Sequence, residues 1–73
     1  MKPRYEIAIY WSDEDDAYIA SVRDLPGCSG DGATYHEALS SAEKAIRLWI
    51  ETARAAGRDV PKPRRHRHAV HHA

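Results

Sequence analysis

The stretch DLPGCSGDGATYHEALSSAEKAIRLW, residues 24–49, decides the fold, because it holds a tight chain reversal followed at once by the start of a long helix. In Leu25-Pro26-Gly27-Cys28, Pro26 presets φ for the second position of a turn. Gly27 then accepts the positive φ that the third position of a type II turn demands. Thr34 followed by Glu37 is a capping box, in which the hydroxyl accepts from the Glu37 N–H and the carboxylate reaches back to the Thr34 N–H. From there Ala38, Leu39, Ala42, Ala45, Ile46, Trp49, Ile50 and Ala53 recur at three- and four-residue spacings, one apolar stripe of a helix. The helix should end near Ala56 with Gly57 as its C-cap. Leu48 falls on the opposite side of the wheel, among Ser41, Lys44 and Glu51.

Upstream of the turn the period changes from helical to two. Tyr5, Ile7, Ile9 and Trp11 alternate with Glu6, Ala8 and Tyr10, the pattern of a strand with one face buried. The polar run Ser12 to Asp16 links it to a second strand, Ala17 to Asp24, with Tyr18, Ala20 and Val22 on one face. Pairing Trp11 with Tyr18 sets Ile9 opposite Ala20 and Ile7 opposite Val22, so a single apolar face results. A short third strand, about Cys28 to Asp31, can follow the turn, and Gly30 and Gly32 point to a bulge or a close backbone contact. Trp11 and Trp49 are expected in the core between helix and sheet, their indole N–H groups seeking acceptors. After the helix, the prolines of Val60-Pro61-Lys62-Pro63 permit at most a short edge strand. The expected fold is α+β: a three-stranded antiparallel sheet in the order β-β-β-α, with room for a short fourth strand after the helix. Residues 1–63 form this domain, and residues 64–73, a basic His/Arg-rich tail with little to bury, are expected to be disordered.

A chain of 73 residues buries only about 60% of the surface it exposes unfolded, so its stability margin is thin. Cys28 is the single cysteine, which rules out an internal disulfide and leaves association as the natural supplement. No apolar run approaches the roughly 18 to 20 residues that span a bilayer, and the N-terminus lacks a signal-peptide core, so a cytoplasmic location is expected. The net charge is zero but unevenly placed. Residues 1–33 carry three basic and seven acidic side chains, and residues 34–73 carry eight basic and four acidic, so the halves stand at −4 and +4.

Asp24-Leu25-Pro26-Gly27-Cys28 after a strand hairpin, then Gly32-Ala33-Thr34 and a helix with Glu37-Ala38 and Trp49, resembles the N-terminal domain of HicB-type antitoxins over about residues 4–63. The resemblance implies a partial ribonuclease-H-like fold, three antiparallel strands with one long helix across them. It also implies a role in a type II toxin–antitoxin pair, in which the domain binds a small mRNA-cleaving toxin of the HicA kind and blocks its active site. A typical member continues into a helix-turn-helix or ribbon-helix-helix segment. Here the sequence stops before such an element, so operator binding through a folded domain is not expected.

Each candidate for chemistry has a plainer alternative. Asp13, Glu14, Asp15 and Asp16 share one loop, whereas two-metal phosphodiester cleavage needs carboxylates on adjoining rigid elements. They read as a solvated turn or as an acidic contact surface for a basic partner. Cys28 and His36 lack a third orienting group, and a buried packing cysteine is the simpler reading. Arg64, Arg65 and Arg67, interleaved with His66, His68, His71 and His72, could contact nucleic-acid phosphates without reading sequence, or the histidines could take up metal adventitiously. The expectation is a protein-binding module, without cofactor, metal or enzymatic activity. Its partner-binding candidates are Asp13 to Asp16 and Leu48, and small size, open sheet edges and Leu48 point to a homodimer or higher homo-oligomer. The rival reading is an accessory protein that binds nucleic acid through its tail. A residual nuclease is the third.

Overall fold

The period-two alternation at the N-terminus becomes β1 (Glu6–Ser12), and the next becomes β2 (Ala17–Val22). The computed structural model describes residues 5–63 together with the backbone of residues 71–72. β1 and β2 pair antiparallel in the register the apolar pattern requires, with Ile7 opposite Val22, Ile9 opposite Ala20 and Trp11 opposite Tyr18. A shift of one residue would turn every one of these side chains to solvent. The chain then reverses at Pro26-Gly27. The Cys28 N–H donates to the Leu25 carbonyl at 3.0 Å, and Gly27 has φ +77°, as a type II turn requires.

β3 (Ser29–Gly32) pairs antiparallel with β2 in unbroken register, so the two glycines mark a close contact and not a bulge. A Cβ on Gly30 would stand 2.3 Å from the Ala42 nitrogen, and one on Gly32 would stand 2.6 Å from the Ala38 nitrogen. Only residues without side chains let the helix backbone lie this near the strand. Ala38 and Ala42 present the matching small surface and are fully buried.

α1 (Tyr35–Ala55) starts at the Thr34 cap its sequence predicts, with the Glu37 carboxylate accepting from the Thr34 hydroxyl at 3.3 Å in place of the Thr34 N–H. The Glu37 N–H donates to the Thr34 hydroxyl at 3.1 Å. At the C-terminus Ala56 is the cap, Gly57 has φ +71°, and the Gly57 and Arg58 N–H groups donate to the Arg54 and Ala53 carbonyls, the pairing of a Schellman motif. The predicted stripe is the buried one: Ala38, Ala42 and Ile46 join Tyr5, Ile7, Ala20, Val22, Leu25 and Cys28 in the core, with Leu39, Ala45, Trp49 and Ile50 packed against it. Trp49 ties helix to turn, its indole N–H donating to the Pro26 carbonyl at 3.0 Å.

Three expectations are corrected: the place of the fourth strand, the exposure of Glu6 and the burial of Trp11. The fourth strand is not at Val60–Pro63 but at β4 (His71–His72), which pairs with Glu6 and Ile7 on the far side of β1 to give the sheet order β3-β2-β1-β4. Val60 to Pro63 instead runs past Tyr5, whose hydroxyl donates to the Pro61 carbonyl. Of the tail expected to be disordered, the described residues include the backbone at 71–72, and residues 64–70 and 73 lie outside them. Glu6, placed on the polar side by alternation, is 2% exposed, with Arg23 Nη1 3.7 Å from its carboxylate, at a point where β1 is flanked by both β2 and β4. Trp11 has the parity of the core face yet is 46% exposed, since it lies at the loop end of β1 with the acidic turn directly beyond it.

Candidate functional site

The loop between β1 and β2 is short and acidic, and local hydrogen bonds give it a defined shape. The Trp11 indole N–H donates to Asp13 Oδ1 at 2.9 Å, and the Ser12 hydroxyl donates to Asp15 Oδ2 at 3.1 Å while accepting from the Asp15 N–H at 3.3 Å. Asp16 closes the turn at φ +51°, a left-handed conformation that a short polar side chain tolerates. Asp13, Glu14, Asp15 and Asp16 are all exposed, so four carboxylates project from one turn. Beside them stands a chain of rings. Trp11 meets Tyr18 edge to face with centroids 5.1 Å apart, and Tyr18 meets Tyr35 in the same manner at 6.0 Å. Tyr35, the first residue of α1, is 40% exposed. One end of the domain is therefore both strongly acidic and aromatic.

Sequence reasoning found the acids of this surface and missed its rings. Strand parity places Trp11 in the core, and nothing in the helix pattern singles out Tyr35. The available signal was position: Trp11 abuts the polar run, and Tyr35 follows directly on the helix cap.

Leu48 belongs to a different surface. It is 64% exposed and lies 13 positions beyond Tyr35, about 20 Å along the helix at 1.5 Å per residue. It edges a groove of about 640 Å³ lined by Pro26, Cys28, Ala45, Trp49 and Thr52. The acidic loop and Leu48 thus do not form one face.

Cys28 is buried behind the turn, and burial pushes its thiol above its ordinary pKa, away from the thiolate that nucleophilic chemistry needs. It lines the groove with Ala45 and Trp49, whereas exposed His36 sits in the first turn of α1, 13 positions before Trp49. The structure does not bring the two together. Among the described residues no three His, Cys, Asp or Glu side chains converge to hold a metal ion. No helix among them is long and apolar enough to cross a membrane. Arg64, Arg65 and Arg67 lie outside the described residues.

The family model for the HicB-like antitoxin of bacterial toxin–antitoxin systems matches residues 5–72. The chain belongs to the HicB-like antitoxin family. It is similar to a UPF0150 protein of Thermoplasma acidophilum, 36% identical over 63 residues that cover 86% of this chain and 91% of that protein. It is also similar to an uncharacterized 14.9 kDa protein from the rep-hol intergenic region of Haemophilus phage HP1, 40% identical over 48 residues. That match spans 66% of this chain but 36% of the phage protein. The crystal structure of the N-terminal domain of Burkholderia pseudomallei antitoxin HicB superposes with a TM-score of 0.72 at 27% identity, covering 86% of this chain and 72% of that one. The β-β-β-α unit is thus the fold of a HicB N-terminal domain. The family match also reaches residue 72, beyond the span of about residues 4–63 on which the sequence motifs rest, and takes in β4.

Proposed function

We propose that this HicB-like chain acts without catalysis, by binding a small, basic, RNA-cleaving toxin of the HicA kind and covering its active surface. The docking end in this reading is the acidic–aromatic one, Asp13 to Asp16 with Trp11 and Tyr35. The observation that carries it is the juxtaposition there of four exposed carboxylates and two half-open rings. A protein that cleaves RNA must present positive charge to phosphates, and an acidic surface competes for that charge directly. The rings add what a carboxylate loop alone lacks, an apolar contact and faces on which arginine or lysine can stack. Family membership supports the toxin–antitoxin setting.

The test looks for a small basic protein encoded beside this one. Its RNA-cleaving activity should be suppressed by the intact chain and should return when Asp13, Asp15 and Asp16 are replaced by Asn and Glu14 by Gln. Co-purification with no basic neighbour, or a neighbour that cleaves no RNA, contradicts the reading.

A further inference from the structure

The outer side of α1 centres on Leu48, which no other element of the described fold covers. At helical spacing around Leu48 lie Ser41, Lys44, Ala45, Glu51, Thr52 and Ala55. Leu48 is 64% exposed at the centre of this face, the small residues Ala45 and Thr52 flank it, and the groove against Pro26 opens beside it. One turn before Leu48 stands Lys44, and one turn after it stands Glu51. Neither belongs to an ion pair within the chain among the described residues.

The opposite charges stand at near-equal distances from one apolar residue, so the face is complementary to itself. A second helix of the same sequence, laid antiparallel with a two-fold axis at Leu48, brings each Lys44 opposite the other copy's Glu51 and packs the two leucines over Ala45 and Thr52. A parallel arrangement would oppose like charges. An isologous contact of this kind is how most small chains form dimers.

The sheet is less suited to the task. On the outer edge of β3 the Asp31 N–H already donates to the Ser41 hydroxyl at 3.3 Å, so the helix occupies a donor that strand addition would need.

We infer that α1 is a homodimerisation helix, pairing antiparallel with the α1 of a second copy about Leu48, with Lys44 and Glu51 fixing the direction. The dimer forms from the chain alone and stands whether or not the toxin reading does. It leaves the acidic loops, which lie beside the Tyr35 end of each helix, free for other partners.

Sedimentation equilibrium of the full chain over a range up to several hundred micromolar reads the association directly. Wild type forms a dimer. Leu48→Asp weakens it by about 30-fold or more, since a charge is placed at the centre of the contact. Lys44→Glu and Glu51→Lys each weaken it by about fivefold, because each sets two like-charge pairs across the axis, and combining them restores wild-type affinity. Leu48, Lys44 and Glu51 lie on the exposed side of the helix, so the variants keep the wild-type far-ultraviolet circular dichroism. A monomeric wild type, a dimer indifferent to Leu48→Asp, or a double reversal no better than the single ones overturns the inference.

Discussion

Where β3 meets α1, the strand and helix backbones lie so close that one methyl group on Gly30 would stand 2.3 Å from the Ala42 nitrogen. Where β1 runs into its acidic loop, Trp11 leaves nearly half its surface in water and holds Asp13 by a single hydrogen bond. Both contacts are built on the same sheet, yet the first has no free volume and the second has no second layer. A close-packed seam cannot relax around added atoms, so substitutions there are felt as stability. An exposed cluster relaxes into solvent, so substitutions there leave the fold intact and are felt by whatever docks.

The contrast can be broken in order of expected effect. Gly30→Ala should destabilise the domain by about 3 kcal/mol, the upper range for forcing extra volume into a packed contact, and urea denaturation should find it largely unfolded. An ordinary midpoint would mean that the seam is looser than its geometry. The two tryptophans sharpen the point. Trp49→Ala removes packing against the core and the bond to Pro26 and should cost about 2 to 3 kcal/mol, against about 1 kcal/mol or less for half-exposed Trp11→Ala. Equal losses by the same measurement would erase the distinction between the two ends. Thr34→Ala deletes the cap that receives the Glu37 N–H and should cost about 1 kcal/mol, visible as a shift in midpoint without a change in slope.

The smallest effect is a pH dependence. Burial first, then the nearby Asp24 carboxylate, raises the Tyr5 phenol above its ordinary value of 10.0, while Arg54 pulls the other way. A phenol whose folded pKa exceeds its unfolded one binds more protons in the folded state. Its stabilisation is complete below the unfolded value and is lost as pH rises through the folded one. Buried Cys28 acts in the same sense from its ordinary 9.0. Wild type should therefore lose stability progressively above about pH 9, and Tyr5→Phe should lose less over the same range. An identical alkaline profile in both proteins would remove Tyr5 from the account.

Much of the fold was legible in the residues because local and long-range signals agree. The turn residues Pro26 and Gly27, the Thr34–Glu37 cap and the eight-residue apolar stripe of α1 each specify the arrangement that the β1–β2 register independently requires. What was not legible depends on which elements sit beside one another across the chain. Glu6 looks solvent-facing by alternation, yet it is buried where β4 pairs with β1 and Arg23 approaches its carboxylate. Two residues at 71–72 give no periodicity from which a strand could be read. Strand parity assigned Trp11 a side of the sheet correctly but could not say how far along it the cover extends. At the candidate site the charge was plain and the aromatic neighbours were not, because Tyr35 reaches Tyr18 only through the packing of α1 on the sheet.

The central claim is that the acidic–aromatic end masks a basic partner while the rest of the domain holds it in place. It is tested most directly by calorimetric titration of a HicA-like toxin, sought among the proteins encoded beside this one, into wild type and into the variant carrying Asp13→Asn, Glu14→Gln, Asp15→Asn and Asp16→Asn. These exposed substitutions should move the urea midpoint by no more than about 0.5 kcal/mol in stability. They should nonetheless weaken binding by about 100-fold at low salt, with the gap narrowing as salt screens the wild-type interaction. Equal affinity of the two proteins, at the same stability and in low salt, would contradict the account.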